Sequence, residues 1–166
     1  MGQFSVPRSA PASTRQFGVE RVWRPIVTEI THEIKIKAIP EQVFDAIATP
    51  DGMRSWHTAL VEGTGEMGSV WNLKFAGHPH FSWHIVTSQA PAHVAWECVD
   101  GPGDSVGTTV DYRISATDDG RTLLEFTHAG WPNTAGSFRK CNTLWGALMH
   151  QLQQYVETGQ PAPAFR

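Results

Sequence analysis

The stretch 134-TAGSFRKCNTLWGALMHQLQQYVET-158 contains no proline, and its glycines are Gly136 near the start and Gly146 near the middle. Gly159 follows it and Pro161 comes soon after, the order of residues that stops a helix. Phe138, Cys141, Trp145, Leu148, Met149, Leu152, Tyr155 and Val156 recur at spacings of three and four. The stretch therefore predicts one long helix with a single apolar stripe. Asn142 is the one amide assigned to that stripe. Burying an amide without a partner costs ~1–3 kcal/mol, so Asn142 is expected to face an interior space and to meet water or a ligand oxygen there.

A helix with one apolar stripe needs an apolar surface to lie on, and the residues ahead of it supply strands. From Glu29 the chain alternates strictly, with Ile30, His32, Ile34 and Ile36 on one face and Thr31, Glu33, Lys35 and Lys37 on the other. Next, Pro40 suits a first helical turn and Val43, Phe44 and Ile47 share a face. Pro50 is expected to end that helix, and Asp51 to cap a second one carrying Met53 and a buried Trp56. Alternation then resumes in short runs separated by turn signals. The inward residues are Trp71, Leu73 and Phe75, then Phe81, Trp83 and Ile85, then Val94, Trp96 and Cys98. Thr108, Val110, Tyr112 and Ile114 follow, and after Asp118-Asp119-Gly120 come Leu124, Phe126 and His128. The class is α+β: an antiparallel meander of six to seven strands, two short helices and a long C-terminal helix.

The 166 residues are 40% apolar and 17% charged, which fits one globular domain, and no apolar run approaches the ~18 residues of a membrane span. The domain is expected at 27–160. An arm at 1–26 mixes Pro, Ser, Ala and Arg without periodicity, and a tail occupies 161–166. Phe17, Val19, Val22 and Trp23 make the arm apolar enough to pack on the body or to form a homodimer contact. The N-terminus lacks the continuous apolar core of a secretory signal, so a cytoplasmic location is expected. Cys98 and Cys141 lack redox-motif spacing and read as buried thiols. A net charge of −3 without a Lys/Arg cluster argues against nucleic acid as a partner.

Of the eight histidines, His78, His80, His84 and His93 fall close together in sequence. His80 and His84 share a strand face but lie ~13 Å apart at ~3.3 Å per residue, too far for one ion. His84 and His93 approach across a hairpin only on the solvent face. No metal site is expected. Phosphate-cradling glycine loops, dinucleotide fingerprints and nucleophile elbows are absent, and no cofactor is expected.

A single helix is too narrow to fill the concave face of six or seven curved strands, so a cavity is one expected outcome. The other is that the seven tryptophans and their neighbours fill it.

The segment ITHEIKIKAIPEQVFDAIATPDGMRSWHT, from Ile30, resembles the N-terminal signature of the START/polyketide-cyclase superfamily (SRPBCC, birch-pollen-allergen-like). It is most similar to the branch of the activator of the heat-shock chaperone ATPase. FTHAGWPN, from Phe126, and NTLWGALMHQLQQYVETG, from Asn142, are similar to that branch's last strand and closing helix. The resemblance covers Thr28 to Gly159 and implies a helix-grip fold whose first strand neighbours its last. It also implies a cavity for a small hydrophobic molecule of lipid, polyketide or aromatic type. The ligand-contacting residues expected in that cavity are Trp56, Trp71, Phe75, Trp83, Trp96, Tyr112, His128, Asn142, Trp145 and Met149. With that strand order, His32, Tyr112 and His128 fall on three neighbouring strands and form one inward polar patch. They are the candidate acid or base residues if the protein is a cyclase or dehydratase. The alternative is that each is satisfied by backbone, water or one another. A third role, modulation of a chaperone ATPase, also belongs to this branch.

Overall fold

The computed structural model describes residues 28–166, and the arm at 1–26, with any dimer contact through it, lies outside the described residues. Strict alternation produces β1, Ile30–Ile36, with Ile30 and Ile36 buried. Two short helices follow, α1 at Pro40–Ala48 and α2 at Pro50–Trp56. Pro50 does not simply end the first helix; it is the first residue of the second. The N-cap of α2 is Thr49 rather than Asp51: its hydroxyl accepts from the Gly52 N–H at 3.1 Å and donates to the Asp45 carbonyl at 2.6 Å. A β-region Thr before Pro is preorganised for this role, because Pro at the first helical position needs no hydrogen-bond partner for its nitrogen. Gly52 is required by proximity, since a Cβ there would stand 2.4 Å from the Asp45 oxygen.

The remaining strands are β2 (Leu60–Glu62), β3 (Val70–Phe75), β4 (His78–Gln89), β5 (His93–Asp100), β6 (Thr109–Ala116) and β7 (Thr122–Ala129). They form one antiparallel sheet in the order β1-β7-β6-β5-β4-β3-β2. The first strand does neighbour the last, with Ile30 opposite His128 and His32 opposite Phe126. The β6–β7 turn closes on Gly120, whose φ of 79° suits a residue without a Cβ. His84 pairs with Glu97 and His93 with Gln89, so the two histidines do not meet across the β4–β5 hairpin.

The long helix α3 spans Ser137–Thr158, beginning three residues later than expected, and ends at Gly159 with φ 69°. It lies along β1 and touches both short helices, while α1 covers the middle of the sheet at β5 and β6. Trp145 drives the α3 stripe into the sheet. Its ring lies 4.4 Å from Phe126, which is 5.1 Å from Tyr112, itself 5.1 Å from Trp96. Such tilted aromatic contacts add ~0.5–1.5 kcal/mol per pair beyond the area they bury.

The segment after α3 is not a loose tail. Ala162, Ala164 and Phe165 donate backbone hydrogen bonds to the carbonyls of Ser55, Trp56 and His57, and the Ala59 N–H donates back to Phe165. Phe165 forms a parallel bridge with Thr58 and sets its ring 4.9 Å from that of Phe75. The terminal residues are therefore a strap across the end of α2.

Candidate ligand-binding site

The aromatic core fills most of the concave face. Trp56, Trp71, Trp96, Tyr112 and Met149 are buried, and none of them borders the pocket described below. α1 covers β5 and β6 there, and the Trp145 ring of α3 meets Tyr112 and Phe126. Trp56 also has its indole N–H committed to the Ala46 carbonyl at 2.8 Å.

Space remains at one end, between the N-terminal half of α3 and the β3–β4 side of the sheet, as a pocket of about 300 Å³. Four of the expected residues border it: Phe75, Trp83, His128 and Trp145. Phe81 stacks on Trp83 at 5.8 Å and 9° to form one flat wall. Opposite stand Cys141, Leu144 and Leu148 of α3, with Leu144 42% exposed at the rim. His57 and Phe165 close the side formed by α2 and the strap, and the β5–β6 loop contributes Pro102 and Ser105. Half-exposed Phe81 and Leu144 at the mouth give the pocket an apolar entrance.

Asn142 is not among the lining residues. Its side chain is exposed, because one step along a helix turns ~100° and carries it from the buried Cys141 to the solvent side. Half-buried His32 lies on β1, and burial lowers its pKa, while the Asn142 backbone partly opposes that shift.

The expected polar patch is dispersed. His32, Phe126 and Tyr112 form one cross-strand row, so the Phe126 ring lies between the two polar groups. The Tyr112 hydroxyl is buried without a protein partner, and burial raises its pKa well above the usual phenol value. Tyr112→Phe should therefore leave the unfolding free energy unchanged or raise it by up to about 1 kcal/mol, measured by urea denaturation. A loss of more than about 1 kcal/mol would show that the hydroxyl has a partner.

His128 has the opposite surroundings. The Trp145 indole N–H donates to its Nδ1 at 2.8 Å, so Nε2 carries the ring proton and donates to the Thr108 hydroxyl at 2.9 Å. Thr108 in turn donates to the Ser105 carbonyl at 2.6 Å. This one-way chain ties α3, β7 and the β5–β6 loop together and leaves His128 neither nitrogen to offer a ligand. Burial holds its pKa down at about 3. His57 was not foreseen as a site residue. It is 4% exposed, its Nδ1 is buried without a partner, and burial lowers its pKa to about 3. Among the described residues, no group of three His, Cys, Asp or Glu side chains is placed to hold a metal ion. Nor is any helix long and apolar enough to cross a membrane.

Seven antiparallel strands gripping a long helix, with two short helices between the first and second strands, define an α+β helix-grip protein. The chain belongs to the polyketide cyclase / dehydrase and lipid transport family, whose model matches residues 27–154. No curated protein matches the sequence. Among solved structures it is similar to the Aha1 dimer from Colwellia psychrerythraea, known in solution. The two are 28% identical over 80% of this chain and 98% of that one, with a TM-score of 0.73. DynU16, from the dynemicin biosynthetic locus, is 17% identical over 80% of this chain and 48% of its own, with a TM-score of 0.67. CalU16 from Micromonospora echinospora is 20% identical over 82% of this chain and 78% of its own, with a TM-score of 0.66. The last two share the fold.

Proposed function

We propose that the protein binds a small hydrophobic molecule in the pocket beneath the N-terminal half of α3. One observation carries this reading: a void of about 300 Å³ with aromatic walls persists beside an otherwise filled aromatic core. A half-open pocket with aromatic walls leaves apolar surface in contact with water, and covering that surface with an apolar molecule is favourable. The pocket's volume is at the lower limit of ordinary ligand sites, which suits a molecule of two or three rings or a short acyl chain. Two free, buried thiols, Cys98 and Cys141, are consistent with a reducing cytoplasmic setting.

N-phenyl-1-naphthylamine, a neutral dye that brightens in apolar surroundings, tests the reading. Wild-type protein should bind it saturably. Leu144→Trp, a change at the half-open rim, should weaken binding about tenfold while leaving the melting temperature nearly unchanged. Equal binding by the two proteins would place the dye elsewhere and remove the support for this pocket.

The likeness to the Aha1 dimer favours a second reading, a protein that works by assembling with other chains. Sedimentation of the full chain tests it. A dimer that persists in Leu144→Trp would separate assembly from the pocket, and a monomer at all concentrations would dismiss homodimer formation.

A further inference from the structure

We infer that the pocket takes a ligand with a planar apolar body and an anionic head group, the head held at the α3 end by Lys140. The inference rests on the proposed binding function and concerns its chemical class. The two ends of the pocket differ in kind. At the inner end lie the rings of Trp83, His57, Trp145 and Phe165, and Phe81, stacked on Trp83, carries the aromatic wall out to the mouth. At the other end the first turns of α3 bring Ser137 and Lys140 to the border, beside Ser105 of the β5–β6 loop. That loop lies hard against α3: a Cβ on Gly103 would stand 2.4 Å from the Ser137 hydroxyl oxygen.

The formal charge bordering the pocket is one-sided: Lys140 borders it, and no aspartate or glutamate does. Lys140 makes no ion pair among the described residues. Asp104, the carboxylate whose field reaches Cys141, neither borders the pocket nor pairs with Lys140. Asp100 is engaged with His80 at 2.8 Å. The start of α3 adds to the asymmetry, since Gly136 gives no side-chain cap and its first turn carries no acid. A cation at the mouth of an acid-free apolar pocket repels ammonium ligands and attracts carboxylates, sulfonates or phosphates.

A second feature also points to a ligand with a polar group. His57 borders the pocket, is 4% exposed, and has no hydrogen-bond partner for Nδ1. A buried imidazole with an unmet nitrogen is costly unless something polar approaches it. The head group at Lys140 is at the opposite end, so a polar substituent on the planar body is what would meet this nitrogen.

The test compares 1-anilinonaphthalene-8-sulfonate with N-phenyl-1-naphthylamine, which share one aromatic body and differ by the sulfonate. Dissociation constants are measured by fluorescence for wild type, Lys140→Gln and Leu144→Trp, at low and high salt. Lys140→Gln should weaken the sulfonate dye about three- to fivefold at low salt, the effect of one exposed charge pair. It should leave the neutral dye unchanged, and the difference should shrink at high salt. If Lys140→Gln affects both dyes alike or neither, while Leu144→Trp still expels the neutral dye, the anionic head is wrong and the pocket stands. If the neutral dye is insensitive to Leu144→Trp, the pocket reading fails and takes this inference with it.

Discussion

Trp56→Ala should lower the unfolding free energy by about 3–5 kcal/mol, the range for truncating a large buried aromatic. Trp56 has 0% exposure and sits where α1, α2 and the strap converge. Its removal empties a volume that rigid neighbours cannot close, and it orphans the Ala46 carbonyl that accepts its N–H. Trp56→Phe should recover part of this, because it refills most of the volume without restoring the hydrogen bond. Denaturant unfolding of the three proteins gives the comparison. A change below about 0.5 kcal/mol for Trp56→Ala, the size typical of surface positions, would place the side chain outside the core.

Acidification should have an effect of similar size. His57 and His128 titrate near 6.5 in the unfolded chain, but burial holds both at about 3 in the native state. Between those values the unfolded chain binds more protons, so stability is complete above about pH 6.5 and is lost as pH falls toward 3. At pH 5 each ring should cost ~2 kcal/mol relative to neutral pH, or ~4 kcal/mol together. For His128 the structural reason is specific, since a proton on Nδ1 would face the Trp145 N–H head on. His57→Asn and His128→Asn, which cannot titrate, should each remove about half of the pH dependence, whatever they do to stability at neutral pH. A wild-type stability that is flat from pH 7.5 to 5 would mean that neither ring is sealed from water.

Local periodicity was enough to read most of the fold. The alternation of Ile30 to Ile36 and the three-and-four spacing from Phe138 to Val156 each place residues on one face by backbone geometry alone, and β1 and α3 lie where those patterns run. The site was less legible because its members come together through tertiary packing. His57 follows the last residue of α2 and belongs to no repeating pattern. Phe165 lies beyond the helix-stopping Gly159, and backbone bonds to the end of α2 and the bridge to Thr58 bring it to the pocket. Asn142 was misplaced for a different reason. The stripe on α3 is narrow, and a residue one step from Cys141 looks adjacent in sequence while pointing out of the interior. The α3 group that reaches His128 is the indole of Trp145, just under one turn further on. The double role of Thr49 had a visible signal, Thr before Pro, which outranks Asp51 as a cap once Pro50 is taken as a helix start.

The strap would give a molecule held in the proposed pocket and residues 160–166 a shared free energy. Phe165 completes the pocket wall only while the backbone bonds to Ser55, Trp56 and His57 hold it in place. Any molecule that touches its ring binds the docked form more tightly than the undocked one. By linkage, the factor by which docking tightens such a molecule equals the factor by which that molecule favours docking. Occupancy of the pocket can then be felt at residues 160–166 through a local unfastening equilibrium, with no rearrangement of the sheet.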